Sequence, residues 1–81
     1  MNRVKQLRER FEPAWPQWRL GEFLGVRQSA VARYEAGEAP RGAIERLLAL
    51  LEGGLDDGRV KPGMDAPDAM RALGLLRGAA E

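Results

Sequence analysis

Cysteine and histidine are both absent from the 81 residues. Without cysteine there is no disulfide framework and no thiolate metal site, which fits a reducing cytoplasm, the location expected here. Without histidine the chain lacks the side chain best suited to proton transfer near neutral pH and the commonest metal ligand. An enzyme built on this sequence would have to work with carboxylates, Lys, Tyr or Ser alone. No metal and no cofactor is expected, and no small-molecule ligand is evident. Long apolar runs are missing too. None approaches the roughly 18 residues that cross a bilayer, so no membrane partner is expected. The opening stretch "MNRVKQLRERFE" is charged and periodic, unlike a signal peptide. A chain of this length makes one small domain with a modest buried fraction.

Charge of one sign is also scarce. The formal net charge is +1, but residues 1–46 carry nine basic and six acidic side chains and residues 47–81 carry four and six. The two halves therefore balance at +3 and −2. That mild asymmetry points to an anionic partner for the first half. Arg outnumbers Lys eleven to two. Guanidinium suits phosphate and guanine bidentately, but a GC-rich genome produces the same bias.

Apolar spacing predicts five helices and no strand. Val4, Leu7 and Phe11 share one face of a helix over 2–11, which Pro13 ends. A second helix starts near Pro16 or Gln17, carries Leu20 and Leu24 as its stripe, and closes at Gly25. A third runs from Arg27 or Gln28 to Ala36, with Val31 and Tyr34 inward and Gly37 as its stop. Pro40 opens a fourth through about Leu51, with Ile44, Leu47, Leu48 and Leu51 as its stripe, and Gly53-Gly54 ends it. Residues 54–65, "GLDDGRVKPGMD", read as a loop. A fifth helix is expected from Pro67 to about Gly78, within a C-terminal segment 66–79, capped by Asp65 or Ala66. Gly74 falls inside it at a cost of up to ~1 kcal/mol.

Two short helices around a glycine turn, the second exposing polar residues, fit the description of a helix-turn-helix. The stretch "QWRLGEFLGVRQSAVARYEAG", residues 17–37, carries more than that. Gln17, Leu20, Gly21, Leu24, Gly25, Val26, Gln28, Val31, Tyr34, Glu35, Gly37 and Pro40 resemble, type by type and at fixed spacing, the lambda-repressor-like (Cro-like) family of bacterial and phage regulators. The resemblance covers residues 2–52. It implies an all-α, five-helix DNA-binding domain with its helix-turn-helix at about 17–36 and the DNA-binding part over 1–53. It also implies that Glu35 pairs with a basic residue of the first helix, Arg10 being the first candidate and Arg8 the second.

Gly21 is small where the second and third helices cross, and Gly25 supplies a positive φ. Leu20, Leu24, Val26, Val31 and Tyr34 are core. The outward face of the third helix carries the candidate base contacts. Gln28 can bond adenine N6 and N7 together, Ser29 can donate or accept, Ala32 can touch a thymine methyl, and Arg33 can reach guanine or a phosphate. Arg27 and Arg41 are candidate phosphate contacts at helix starts, and the resemblance implies another at Gln17. A solvated helix face would also hold Gln, Ser and Arg, and it is the full motif that favours DNA.

Some features depart from the family. The usual caps of the second and third helices are replaced by Pro16 and Arg27, each at a cost near ~1 kcal/mol. Trp15 and Trp18 are unusual; one is expected to cover the end of the core. Met70, Leu73 and Leu76 can fold back on the domain or meet their two-fold mates, and dimerisation is the expectation. The function this implies is a short double-stranded DNA-binding regulator, a repressor or autorepressor of a small phage or mobile-element operon, those carrying anti-CRISPR genes among them. It would bind an inverted repeat as a homodimer. The alternative is an antitoxin whose residues 54–81 wrap a toxin. A loop metal site at Asp56, Asp57 and Asp65 lacks EF-hand register, and RNA binding lacks exposed aromatics beyond Trp15 and Trp18.

Overall fold

The computed structural model describes residues 2–75, and among them there are five helices and no strand. α1 spans Arg3–Glu9, α2 Gln17–Leu24, α3 Gln28–Glu35, α4 Gly42–Asp57 and α5 Ala66–Ala72. The all-α, five-helix expectation holds, with four boundaries corrected.

α1 is shorter than the periodicity predicts. Asn2 caps it, accepting from the backbone N–H groups of Val4 and Lys5. The last turn then tightens: the N–H of Arg10 donates to the Leu7 carbonyl at 3.2 Å and that of Phe11 to the Arg8 carbonyl at 3.3 Å. Phe11 therefore leaves the helix yet remains buried beside Val4 and Leu7. Trp15 follows it into the core. Its ring stacks on Phe11 with centroids 3.8 Å apart, meets Phe23 on another side, and donates its indole N–H to the Met64 carbonyl at 2.8 Å. Trp15 is thus the tryptophan that seals the core, and Trp18 is the exposed one.

α4 corrects the sequence reading at both ends. Pro40 does not open it, because Arg41 is extended and the helix starts at Gly42. Gly53-Gly54 does not stop it either: the helix runs on to Asp57 and ends at Gly58, whose φ is +88°. Gly54 stays helical because the chain folds back over it. A Cβ there would lie 2.7 Å from Val60 Cγ2 and 2.9 Å from Leu73 Cδ2. The Val60 N–H donates to the Gly54 carbonyl at 2.9 Å, and Val60 is buried. Packing thus outweighs the intrinsic helix cost of glycine, which is ~1 kcal/mol. The expected loop 54–65 therefore begins only after Asp57, and of its apolar residues Val60 belongs to the core and Met64 packs against it.

α5 starts where expected, with Asp65 accepting from the Asp68 N–H at 2.9 Å, but it stops at Ala72 rather than near Gly78. Gly74 is the reason. At φ +75° it takes the left-handed position after the helix, the Leu75 N–H donates to the Met70 carbonyl at 2.8 Å, and the Gly74 N–H donates to that of Arg71. This is the paired bonding that closes a helix, so Gly74 terminates α5 and is no interior defect. Leu76 and the rest of the expected helix to 79 lie outside the described residues. The core joins Leu20, Leu24 and Phe23 of α2, Val31 of α3, Leu48 and Leu51 of α4, and Ala66 and Ala69 of α5.

Candidate nucleic-acid interface

α2 and α3 form a helix–turn–helix pair held by a three-residue turn. Gly25 has φ +77°, and its N–H and that of Val26 both donate to the Gly21 carbonyl, at 2.8 and 2.9 Å. Gly21 has no room for a side chain: a Cβ would stand 2.7 Å from the Val26 carbonyl oxygen. Both expectations for these glycines hold. α3 ends with the Glu38 N–H donating to the Arg33 carbonyl at 3.0 Å and Gly37 at φ +122°. Neither α2 nor α3 has a side-chain cap, since Pro16 and Arg27 stand at those positions.

This pair fixes which side of α3 faces out. Ala30 and Val31 are buried, Val31 fully. Gln28, Ser29, Ala32 and Arg33 are all exposed. The four candidate base contacts therefore share one open face on a helix whose other face is locked in the core. Arg33 is not idle there. Its Nε donates to Glu38 Oε1 at 3.2 Å, a pair with both side chains more than half exposed. Such exposed pairs are worth under ~1 kcal/mol and exchange readily for another anion. Arg27 and Arg41 are exposed N-cap residues of α3 and α4 and make no ion pair among the described residues. Arg41 also lines a shallow cleft of about 350 Å³ with Tyr34, Glu38 and Ala39.

The ion pair under the site differs from the first candidate. Arg8 holds Glu35, not Arg10: its Nε and Nη2 donate to the two carboxylate oxygens, the latter at 3.0 Å. Its third nitrogen, Nη1, donates to the Trp15 carbonyl at 2.8 Å. Arg10 stands past the end of α1 and turns to Asp56 at 2.7 Å. The correction follows from helix geometry: two residues apart, Arg8 and Arg10 project from nearly opposite sides of α1, and Arg10, still αR at the cap, points to α4. Burial pushes the Glu35 carboxyl up, but hydrogen bonds from Arg8 and Gln17 with the charges of Arg8 and Lys5 more than offset it, and its pKa sits below the ordinary value. Arg8 and Glu35 expose only 15 % and 11 % of their side chains, so the pair is largely withdrawn from water.

Gln17, a candidate phosphate contact, lies over this pair. Its Nε2 donates to Glu35 Oε1 at 3.1 Å, and its Oε1 accepts from Gln28 Nε2 at 3.5 Å. The structure thus brings together Gln17, from the start of α2, with Gln28 and Glu35, from the two ends of α3. Sequence reasoning named all three residues and missed their linkage. It also missed Arg3, which clamps α4 to α1 with two hydrogen bonds to Glu45 and two to Glu52 at 2.7–2.9 Å.

The remaining candidates are placed elsewhere. Met70 and Leu73 are half-buried against their own core, and Leu50 and Trp18 are the large apolar residues left exposed among those described. The three loop aspartates do not converge. Asp56 pairs with Arg10, Asp57 with Arg59, and Asp65 caps α5. Among the described residues no group of three potential ligands could hold a metal ion, and no helix is long and apolar enough to cross a membrane. No protein family, characterised protein or solved structure matches this chain.

Proposed function

We propose that this protein binds double-stranded DNA sequence-specifically through α3, as the lambda-repressor-like resemblance implies. One observation carries the reading. Gln28, Ser29, Ala32 and Arg33 form a single exposed face on a helix held rigidly by Gly21, Gly25 and the buried Val31. A helix presented in this way fits the major groove. Gln28 would read adenine, Arg33 guanine or a phosphate, and Ala32 a thymine methyl, while Ser29 bonds a neighbouring edge. Gln17, Arg27 and Arg41 would bind phosphates and set the register.

One such helix reads only a few base pairs. Two copies related by a two-fold axis, about 34 Å apart, would read an inverted repeat and supply the missing affinity. Occupancy of such a site beside a promoter would make the protein a repressor or autorepressor of a small phage or mobile-element operon. The antitoxin reading needs a C-terminal segment available to wrap a toxin. In the described part of that segment, Gly54, Val60, Ala66 and Ala69 are buried in the domain itself, which favours the regulator.

Selection from a random duplex pool tests this directly, followed by anisotropy titration of the enriched site at two salt concentrations. An enriched palindrome with half-sites about one turn apart is the expected outcome. No enrichment, with binding abolished at moderate salt, would leave only a generic phosphate attraction and overturn the proposal.

A further inference from the structure

Glu35 already has a full ion-pair partner in Arg8, yet it takes a third hydrogen bond from Gln17 on the outer rim of α2. Packing α1 against α3 does not need that bond. Its consequence is directional. An ionised carboxylate can only accept, so the Gln17 atom facing it must be the amide nitrogen. The Gln17 oxygen is then turned toward Gln28, where it can only accept. The Gln28 atom nearest to it, at 3.5 Å, is accordingly Nε2. That leaves Gln28 one amide hydrogen and its Oε1 directed elsewhere, the donor–acceptor pair that matches adenine N7 and N6. With the Gln28 amide reversed, two amide oxygens would face each other.

We propose that Glu35 is a positioning residue for base reading: held by Arg8, its carboxylate orients the Gln17 amide and, through it, the amide of Gln28. The inference rests on the duplex-binding reading above. Gln28 is exposed and has no packing of its own to choose between its two amide orientations. At 3.5 Å the last link is at the outer limit of a hydrogen bond, so it supplies direction more than energy. The second hydrogen on Gln17 Nε2 remains for a phosphate oxygen.

The test uses the full chain and its selected duplex, with a second duplex changed only at the base pair that Gln28→Ala stops discriminating. The quantity read is the ratio of the two dissociation constants. Glu35→Gln replaces an obligate acceptor with a group that can donate or accept, so the ratio should fall about tenfold, the size of one lost base contact. Arg3→Met breaks the other ion pairs of α1, with Glu45 and Glu52, and leaves Glu35, Arg8 and Gln17 untouched, so it should keep the ratio within about twofold of wild type. Gln17→Leu leaves the ion pair intact and should lower the ratio as Glu35→Gln does, which keeps the test decisive if Glu35→Gln does not fold. Equal loss in Arg3→Met and Glu35→Gln would mean that general loosening is responsible and would overturn the inference. So would an unchanged ratio in Gln17→Leu. A wild type with no sequence preference would overturn the duplex-binding reading itself, and this inference with it.

Discussion

The arginines of α1 and its C-cap and those at the starts of α3 and α4 carry the same charge and are used in opposite ways. Arg3, Arg8 and Arg10 each hold a carboxylate brought from another part of the chain. Arg27 and Arg41 stand exposed at uncapped helix starts with no acidic partner among the described residues. The excess of positive charge in the first half is therefore a poor guide to the charge a ligand can meet. Pairing decides that. Arg3, Arg8 and Arg10 tie the helices together, while Arg27 and Arg41 stand at either side of α3 in the chain. An anion approaching those helix starts finds guanidinium groups whose hydrogen bonds are not already committed.

The contrast is sharpest at Arg8. Removing its guanidinium leaves the Glu35 carboxylate largely withdrawn from water with the Gln17 amide as its hydrogen-bond donor and the charge of Lys5 nearby. Arg8→Met should cost about 3 kcal/mol, read from urea unfolding at pH 7. A loss below about 1 kcal/mol would place the pair with ordinary surface pairs. The pH dependence has a definite sign. The carboxyl of Glu35 is lower in the folded state than its usual 4.5, so its contribution is complete above that value. It is lost as pH falls through the lower folded value. Wild type should therefore lose stability on acidification below about pH 4.5 more steeply than Arg8→Met does. Parallel acid limbs in the two proteins would show that the pair is not the source.

At the outward face the effect should move from stability to recognition. Gln28→Ala should leave the unfolding midpoint unchanged and weaken the selected duplex by about 2 kcal/mol, with discrimination lost at a single base pair. Uniform weakening across all sequences would move Gln28 from the bases to the backbone.

These predictions rest on features of unequal visibility in the sequence. The helix-turn-helix was legible because its determinants are local: Gly21 and Gly25 sit at fixed offsets from Leu20 and Leu24, and the exposed face of α3 follows from Val31 pointing in. The rest depended on contacts between distant residues. Gly54 reads as a helix stop until Val60 and Leu73 are seen closing over it. Gly74 reads as an interior weakness until α5 is seen to end before it. The choice between Arg8 and Arg10 turned on which flank of α1 meets α3, since the two project from nearly opposite sides of the helix and only the packing shows which one reaches Glu35. The amide chain from Glu35 through Gln17 to Gln28 joins residues 18 and 11 positions apart, a geometry that no periodicity encodes.

The smallest expected effects test the comparison most directly, because they match charge for charge. Arg27→Ala or Arg41→Ala should weaken duplex binding nearly equally for all sequences and lower the salt slope by about one each, with stability unchanged. Arg3→Met removes the same single positive charge from a different setting. Arg3 joins Glu45 and Glu52 across one α4 face, but 39 % of its side chain, and 46 % and 29 % of theirs, remain in water. Solvent screening should keep its stability cost to about 1 kcal/mol, despite four short hydrogen bonds. Its salt slope on the selected duplex should equal that of wild type, because a guanidinium already neutralised by two carboxylates releases no counterion from DNA. If Arg3→Met lowered the slope as Arg27→Ala does, total charge would govern binding, and the division between paired and unpaired arginines would have no functional meaning.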